Sequence, residues 1–487
     1  MKIIDLLKGI NYETLQGNVN NEVDTISWDS RNVGSNSLFI CTRSRVLDRH
    51  SFAIEAIEKG ASALVVERFI ENIPSHVTVI KVENGRKAMA QMANIFFNKP
   101  SNKFNLIGTT GTNGKTSITY MISSILKYAG RKVGVISTIE NTIDDKPLSI
   151  KKTNPTTPDS LELQASFKEM ADANVNDVVM EVTSSALDNH RVDNCDFDIG
   201  IFTNLSQDHL DEHGTMENYK IAKKKLFSLC RLGIVNMDDD VSLEFIKDCP
   251  CDFITYGINS PADISAKNMS FSITGTSFTL NFHGVEKEVK LNIPSEFNVY
   301  NALAAIGACY FLGLPLDIII EGIAQLEGIK GRFQCVCRDN TPLAIVDYAH
   351  TPDSLEKTLD AIRRFNPRKL YVIFGCGGDR DKTKRPIMGH IAGNFADYCI
   401  ITSDNPRTEL PEKIIEDVEK GIKNTNCSYE KILDRKAAII HALKMARPSD
   451  VVLIAGKGHE NYQILSDRTI HFDDIEVVKE YFNSCIF

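Results

Sequence analysis

Lys115 and Thr116, preceded by Gly111 and Gly114 in the string NLIGTTGTNGKTSIT at 105–119, have the types and spacing to hold a triphosphate. Glycines let a turn aim its N–H groups at an anion, and a following helix adds its positive end. A lysine then reaches the outer phosphates and a threonine hydroxyl can hold Mg²⁺. In the common G-x-x-x-x-G-K-[ST] spacing the first glycine would fall at Thr109; here glycines stand at 108 and 111. Leu106 and Ile107 before the turn read as a strand, and Ile118, Met121, Ile122, Ile125 and Leu126 after it recur at helical spacing. A nucleoside triphosphate is the expected ligand, in preference to a plain Gly-rich connection.

Other polar groups stand where apolar runs end. Glu181 closes DVVME, and Asp208-His209 follow IFTNLSQ. A lone Glu in such a place is usually solvated, but beside a phosphate loop it becomes a candidate Mg²⁺ ligand. His209 by itself is equally well a hydrogen-bonding loop histidine. Lys223, Lys224 and Lys225 lie in the helical string MENYKIAKKKLF. Consecutive helical positions cannot all face one way, so one lysine can point inward while its neighbours meet water. Trp28-Asp29-Ser30-Arg31 reads as a turn with a capping Asp or Ser. Late in the chain, polar clusters at 347–350, 377–381, 404–407 and 456–460 each terminate a strand-like run, and on one sheet edge they outline a pocket.

The elements that must position these groups follow from the pattern of the whole chain. At 487 residues it is too long for one core and suggests about three domains. Hydrophobic content of 43% and charged content of 24% are ordinary for a globular protein. The start, MKIIDLLKGINY, lacks a signal-peptide core, and no apolar stretch approaches the roughly 20 residues of a membrane span. A cytoplasmic location is expected. A net charge of −9 argues against general nucleic-acid or membrane binding. The cysteines are scattered, and Cys249/Cys251 and Cys335/Cys337 lack neighbouring ligands at zinc spacing, so idle thiols in a reducing compartment are expected.

The predicted fold class is α/β in three domains: residues 1–101, small and α/β; 102–328, a doubly wound parallel sheet carrying the phosphate loop; and 329–487, a second Rossmann-like α/β unit. Residues 253–291 read as an antiparallel addition to the central domain, and NVYNALAAIGACYFL at 298–312 as a helix.

Taken together, TGTNGKT at 110–116, NLSQDHLDEHG at 204–214, FNVYNALAA at 297–305, GRF at 331–333, VDYAHTPD at 346–353, GCGGDRD at 375–381, DNPR at 404–407 and GKGHE at 456–460 resemble the Mur ligases, and more narrowly their MurE branch. The resemblance spans essentially the whole chain. It implies a uridine-nucleotide domain, a central ATPase and a C-terminal amino-acid domain. The implied reaction adds meso-diaminopimelate to the D-glutamate of UDP-MurNAc-L-Ala-D-Glu, through an acyl phosphate made from ATP and Mg²⁺, in peptidoglycan synthesis. A monomer without nucleic-acid or membrane partners is expected.

Carried over residue by residue, the resemblance implies ATP contacts at Gly111, Thr112, Asn113, Gly114, Lys115, Thr116, Ser117, Asn301, Arg332 and Asp347. Thr116, Glu181 and His209 match metal positions, and Lys223 matches the lysine carbamylated by CO₂ in this family; with Lys115 they form the implied catalytic group. A carbamate would turn a cation into an anion able to offer oxygen to Mg²⁺. Ser30 matches a uridine-nucleotide contact, while Thr156, Thr157, Thr183, Asn189 and Arg191 match the muramoyl dipeptide site. Arg380, Asp404, Asn405, Pro406, Arg407, Gly456 and Glu460 match the diaminopimelate site.

Diaminopimelate ends in an ammonium and a carboxylate, lysine in an ammonium alone. The planar fork of Arg407 suits the extra carboxylate, and Glu460 can take the distal ammonium. With lysine bound the guanidinium would be left unpaired, at a cost on the order of 2–4 kcal/mol. Several positions depart from the family pattern: Arg43-Ser44 and Asp48-Arg49-His50 in a usually Gly-bearing loop, Ser185 for histidine, Ser295 for glycine and Gln334 for glutamate. The alternatives are an L-lysine-adding or divergent ligase acting on a related acid, a folylpolyglutamate-type ligase, and a non-enzymatic nucleotide-binding module. The folylpolyglutamate type has no need of DNPR or GKGHE, and a module has no use for Glu181, His209 and Lys223 together.

Overall fold

The computed structural model describes residues 1–44 and 47–484, so the last three positions of the expected 329–487 unit lie outside the described residues. Three sheets follow one another along the chain. The first has the strand order Tyr12–Gln16, Thr78–Val82, Ala61–Val66, Ser37–Ile40, Thr25–Ser27, parallel except for its first pair. Asp29 caps a short 3-10 turn, Ser30–Asn32, by accepting from the Arg31 N–H. A 3-10 turn, Arg49–Phe52, in which Asp48 accepts from the His50 N–H, leads into the helix Ala53–Glu58.

The second sheet has a parallel centre in the order Asp252–Gly257, Cys230–Asn236, Phe197–Phe202, Asn105–Thr110, Asp177–Glu181, Val133–Ile136. The chain fills one flank of Asn105–Thr110, then crosses to the other with Phe197–Phe202. The phosphate loop thus leaves the sheet where the winding reverses, which is where such sheets bind ligands. The antiparallel addition expected over 253–291 is narrower than that range: Asp252–Gly257 belongs to the parallel centre, and Ile264–Ser272 pairs parallel with it. Gly275–Phe282 and Val285–Leu291 add antiparallel strands beyond Ile264–Ser272, and a hairpin of Asn141–Ile143 and Lys146–Pro147 adds to the other edge.

The helix Lys115–Tyr128 seats Ile118, Met121, Ile122, Ile125 and Leu126 in the core with no exposure. Each such side chain stabilises the fold by roughly 1.5–3 kcal/mol. The helix Glu296–Phe311 packs on it and is buried on nearly every side, so the polar Asn298 and Asn301 within it are held at fixed places. Its N-cap, Ser295, sits at φ 96°, a conformation that favours glycine.

The third sheet runs Gln334–Val336, Leu343–Asp347, Val451–Ala455, Leu370–Phe374, Tyr398–Ile401, Ser428–Lys431, parallel except for its first pair. The clusters at 347–350, 377–381, 404–407 and 456–460 lie past the carboxyl ends of its strands. Among the described residues, no helix is long and apolar enough to cross a membrane.

Candidate active site

The phosphate loop is held open by its own backbone and by the segment at 203–206. The Thr112 N–H donates to the Asn204 carbonyl (2.8 Å), and the Asn113 N–H to Asn204 Oδ1 (3.0 Å). Gly114 takes φ 89°, and a Cβ there would approach Asn301 Oδ1 to 2.6 Å, so Asn301 presses directly on the turn. Lys115 Nζ folds back onto the carbonyls of Gly111 (2.8 Å) and Thr112 (2.9 Å). Burial pushes its pKa down, partly opposed by Glu181. Ser117 is buried on the same wall.

Thr116 and Glu181 meet: the Thr116 hydroxyl donates to Glu181 Oε1 at 2.9 Å. The same carboxylate accepts from the Thr138 N–H (2.7 Å) and hydroxyl (3.0 Å), so it is aimed by three donors. A hydroxyl and an oriented carboxylate at the rim of a phosphate loop fit Mg²⁺, which usually takes one or two protein oxygens beside phosphate and water. Among the described residues no three His, Cys, Asp or Glu side chains converge as a self-sufficient metal cage.

The lysine run behaves as its helical phase requires. Lys224 pairs with Asp248 (2.9 Å) and Lys225 with Asp188 (2.8 Å), while Lys223 is 1% exposed, its Nζ 4.3 Å from the Tyr219 ring centroid. The Tyr219 hydroxyl lies 3.3 Å from Thr112 Oγ1, which places Lys223 just behind the phosphate loop. Burial, reinforced by Lys115, drives its pKa well below the usual lysine value. His209 adopts φ 53° and stands edge-on to the same Tyr219 ring. Its Nε2 is 3.3 Å from Asp208 Oδ2, and burial lowers its pKa despite that carboxylate. Burial alone would raise Asp208; His209, His350 and Lys384 outweigh it and hold the carboxyl at about 2.

Thr156, Thr157 and Thr183 line the wall next to Glu181. Thr156 Oγ1 is 3.0 Å from Thr138 Oγ1, and Thr157 donates to the Glu181 carbonyl (2.9 Å). Thr183 caps the helix Ser184–Asp188. Arg191 donates to the Thr157 carbonyl (3.1 Å) and pairs with Asp159 (3.2 Å). Asn189 bonds the Ser185 carbonyl (2.8 Å), and neither it nor Ser30 borders the main cavity. Ser30 belongs to the first sheet's domain, where its carbonyl accepts from Lys59. Nearby, the guanidinium of Arg49 covers the Trp28 ring at 4.0 Å.

On the facing side, Asn405 Nδ2 donates to Glu460 Oε2 (2.8 Å), and the fully buried Lys457 reaches the same oxygen (2.9 Å) and Asn405 Oδ1 (3.2 Å). Arg407 donates to the Gly378 carbonyl (2.8 Å), and Arg380 to the Asp379 carbonyl (3.1 Å). Asp404 accepts from the Asn405 N–H (2.7 Å), Pro406 O from the Glu409 N–H (3.1 Å), and Gly456 sits at φ 115°. Asp347 is turned inward: it accepts from the N–H groups of Phe333 (2.6 Å) and Ala349 (2.9 Å), and burial raises its pKa. These bonds tie GRF to the strand end that carries Asp347.

Arg332 joins the two sides. Its Nη2 donates to Thr116 Oγ1 (2.8 Å) while its guanidinium covers the Tyr348 ring at 4.5 Å. The preceding Gly331 takes φ 67° and lies directly against Gly458 and His459, leaving no room for a side chain. Asn113 also crosses the gap, to Asp353 (2.7 Å). The result is one cavity of about 1520 Å³ bordered by Lys115, Thr116, Glu181 and His209 on one side and by Arg380, Arg407 and Glu460 on the other. Sequence reasoning did not single out Lys152 or Lys384, and it took in His350 and Lys457 only as members of the strand-end clusters. Only Lys457 and His350 carried a signal, inside GKGHE and VDYAH.

Models of the Mur ligase family match three stretches: the family's catalytic domain at 22–97, the Mur ligase middle domain at 109–309 and the Mur ligase glutamate ligase domain at 331–458. Two proteins of Clostridium acetobutylicum named UDP-N-acetylmuramoyl-L-alanyl-D-glutamate–2,6-diaminopimelate ligase 1 and 2 are 47% and 45% identical to the chain, over 99% of it and 99% of each. A solved structure of a ligase of the same name superimposes with a TM-score of 0.68 at 31% identity, covering 96% of this chain and 97% of that one. A shared motif set, a matching three-part fold and near-full-length identity leave one conclusion: the chain belongs to the Mur ligase family.

Proposed function

We propose that this chain is an ATP-dependent ligase that joins diaminopimelate to the D-glutamate of UDP-MurNAc-L-Ala-D-Glu, releasing ADP and phosphate, in peptidoglycan synthesis. The observation that carries it is the single cavity shared by Thr116–Glu181 and by Arg407–Glu460, with Arg332 spanning the gap. A carboxylate acylates poorly, so ATP first phosphorylates it and the amine then displaces phosphate. Between two anions this is a matter of positioning and charge neutralisation.

The loop N–H groups, Lys115 and Asn301 bind and orient the triphosphate, and Arg332 brings a second cation to Thr116. Thr116 and Glu181 would hold one Mg²⁺ and His209 would be a ligand of a second; the metal when bound supplies positive charge to the phosphates. The reading of Lys223 as a carbamate is supported by its burial, which works against the ammonium form, and CO₂ combines with the uncharged amine. Thr156, Thr157, Thr183 and Arg191 form the wall assigned to the muramoyl dipeptide, and Ser30, with Arg49 near it, the uridine end. Arg407 and Glu460 are read as the pair that receives the far carboxylate and ammonium of meso-diaminopimelate. Phosphate release from ATP with the UDP-muramoyl dipeptide and each amino acid, with and without bicarbonate, tests this. Release should require diaminopimelate; release without any amino acid would sink the proposal in favour of a nucleotide switch.

A further inference from the structure

Lys152 is a cation in the cavity wall with no anionic partner among the described residues. Its Nζ donates to the carbonyls of Ser137 (2.7 Å) and Thr138 (2.7 Å), and among the described residues it makes no ion pair. It borders the cavity at the start of the run 152–157, which also supplies Thr156 and Thr157. The carboxylates that face it are Glu181, Glu162 and Glu140, and His459 faces it from the C-terminal unit. Glu162 is engaged by Thr153 and Glu181 by Thr116 and Thr138, so neither turns to the ammonium.

Two ammonium groups therefore flank Glu181. Lys115 approaches it from the phosphate loop, and Lys152 approaches from the wall by Thr138, whose N–H and hydroxyl hold the same carboxylate. An ammonium has three donors, and two of Lys152's are spent on carbonyls, leaving one for the cavity. A terminal glutamyl residue joined through its amine carries two carboxylates. One must reach the phosphate loop to be activated, and the other must be placed and kept from reacting.

Resting on the function proposed above, we infer that Lys152 binds the non-reacting carboxylate of the terminal D-glutamyl residue and so selects which carboxylate enters the phosphate loop. Backbone carbonyls fix the ammonium without neutralising it, which suits a site that must discriminate a charged group from its neutral analogue.

The experiment compares kcat/KM for UDP-MurNAc-L-Ala-D-Glu with that for the monoamide in which the non-reacting carboxylate is replaced. The wild-type enzyme should favour the acid by roughly 30-fold or more, as for a partly desolvated charge pair. Lys152→Met should lose most of that preference through KM for the acid, with KM for ATP unchanged, and Lys152→Arg should keep it. Equal use of acid and monoamide by the wild-type enzyme overturns the inference, as does an undiminished preference in Lys152→Met. If Lys152→Met does not fold, Lys152→Gln, which keeps a donor for the Ser137 and Thr138 carbonyls but no charge, is put to the same comparison, and an undiminished preference there overturns the inference. A wild-type enzyme inactive on the acid would instead fail the proposed function itself.

Discussion

Arg332 Nη2 donates to Thr116 Oγ1 at 2.8 Å, across 216 residues of sequence, so the segment that opens the C-terminal unit touches the hydroxyl that also bonds Glu181. The arginine is held by stacking on Tyr348, and Gly331 before it has room for no side chain. The third unit and the phosphate loop are thereby joined.

Arg332→Ala should raise KM for ATP by roughly 10- to 100-fold, the size expected when a charge-assisted contact is lost. Arg332→Lys should recover only part of this, because an ammonium cannot both stack flat on Tyr348 and reach Thr116. Steady-state kinetics with varied ATP read both.

Lys115→Ala should lose ATP binding and turnover together. Lys223→Ala should lose turnover yet still bind ATP, since Lys223 stands behind the loop rather than in it. Calorimetric titration with a non-hydrolysable ATP analogue, beside turnover with and without bicarbonate, separates the two; a fully active Lys223→Ala enzyme removes the carbamate role.

Arg407→Ala should lower kcat/KM for diaminopimelate by roughly 30- to 1,000-fold and leave that for L-lysine nearly unchanged. Competition between the two amino acids, followed by mass of the product, measures the ratio. Lys457→Met should weaken diaminopimelate as well, because Glu460 and Asn405 lose the buried cation that sets their orientation.

The guanidinium of Arg435 is fully buried against Asp474 at 2.7 Å and also reaches the Ala455 carbonyl (3.0 Å) beneath the GKGHE turn. Arg435→Met should destabilise the protein by about 3–5 kcal/mol, the cost of an unpaired buried carboxylate. Pairing it with Asp474→Leu should restore much of the loss. Denaturant unfolding of the single and double variants tests this.

A hydrogen bond from Arg385 is the main reason Glu409 ionises at about 2 rather than near its ordinary 4.5. A carboxyl with a lowered folded value adds stability that is present above the unfolded value and is lost as pH falls through the folded one. Stability should therefore decline between about pH 4.5 and 2. Glu409→Gln should flatten that part of the profile, and added salt should shrink the difference because the site is near the surface. Urea midpoints across this pH range are the measurement.

What the amino-acid string settles alone is whatever depends on near neighbours. The turn at 108–116 needs its glycines within a few residues of Lys115, and the apolar spacing of the following helix is local, so strand, loop and helix were readable, as was the strand-end placement of Glu181 and the late polar clusters. The helical phase also said that one of Lys223–Lys225 would turn inward. The family resemblance pointed to Lys223, and packing against Tyr219 is what turns it inward. The tertiary structure alone turned Asp347 inward onto Phe333 and Ala349, put a buried Lys457 against Glu460, left Lys152 unpaired beside Glu181 and brought Arg332 to Thr116. Those outcomes depend on which distant groups share a low-dielectric space, and no local spacing encodes that; a charge's partner is chosen when the sheets are brought together.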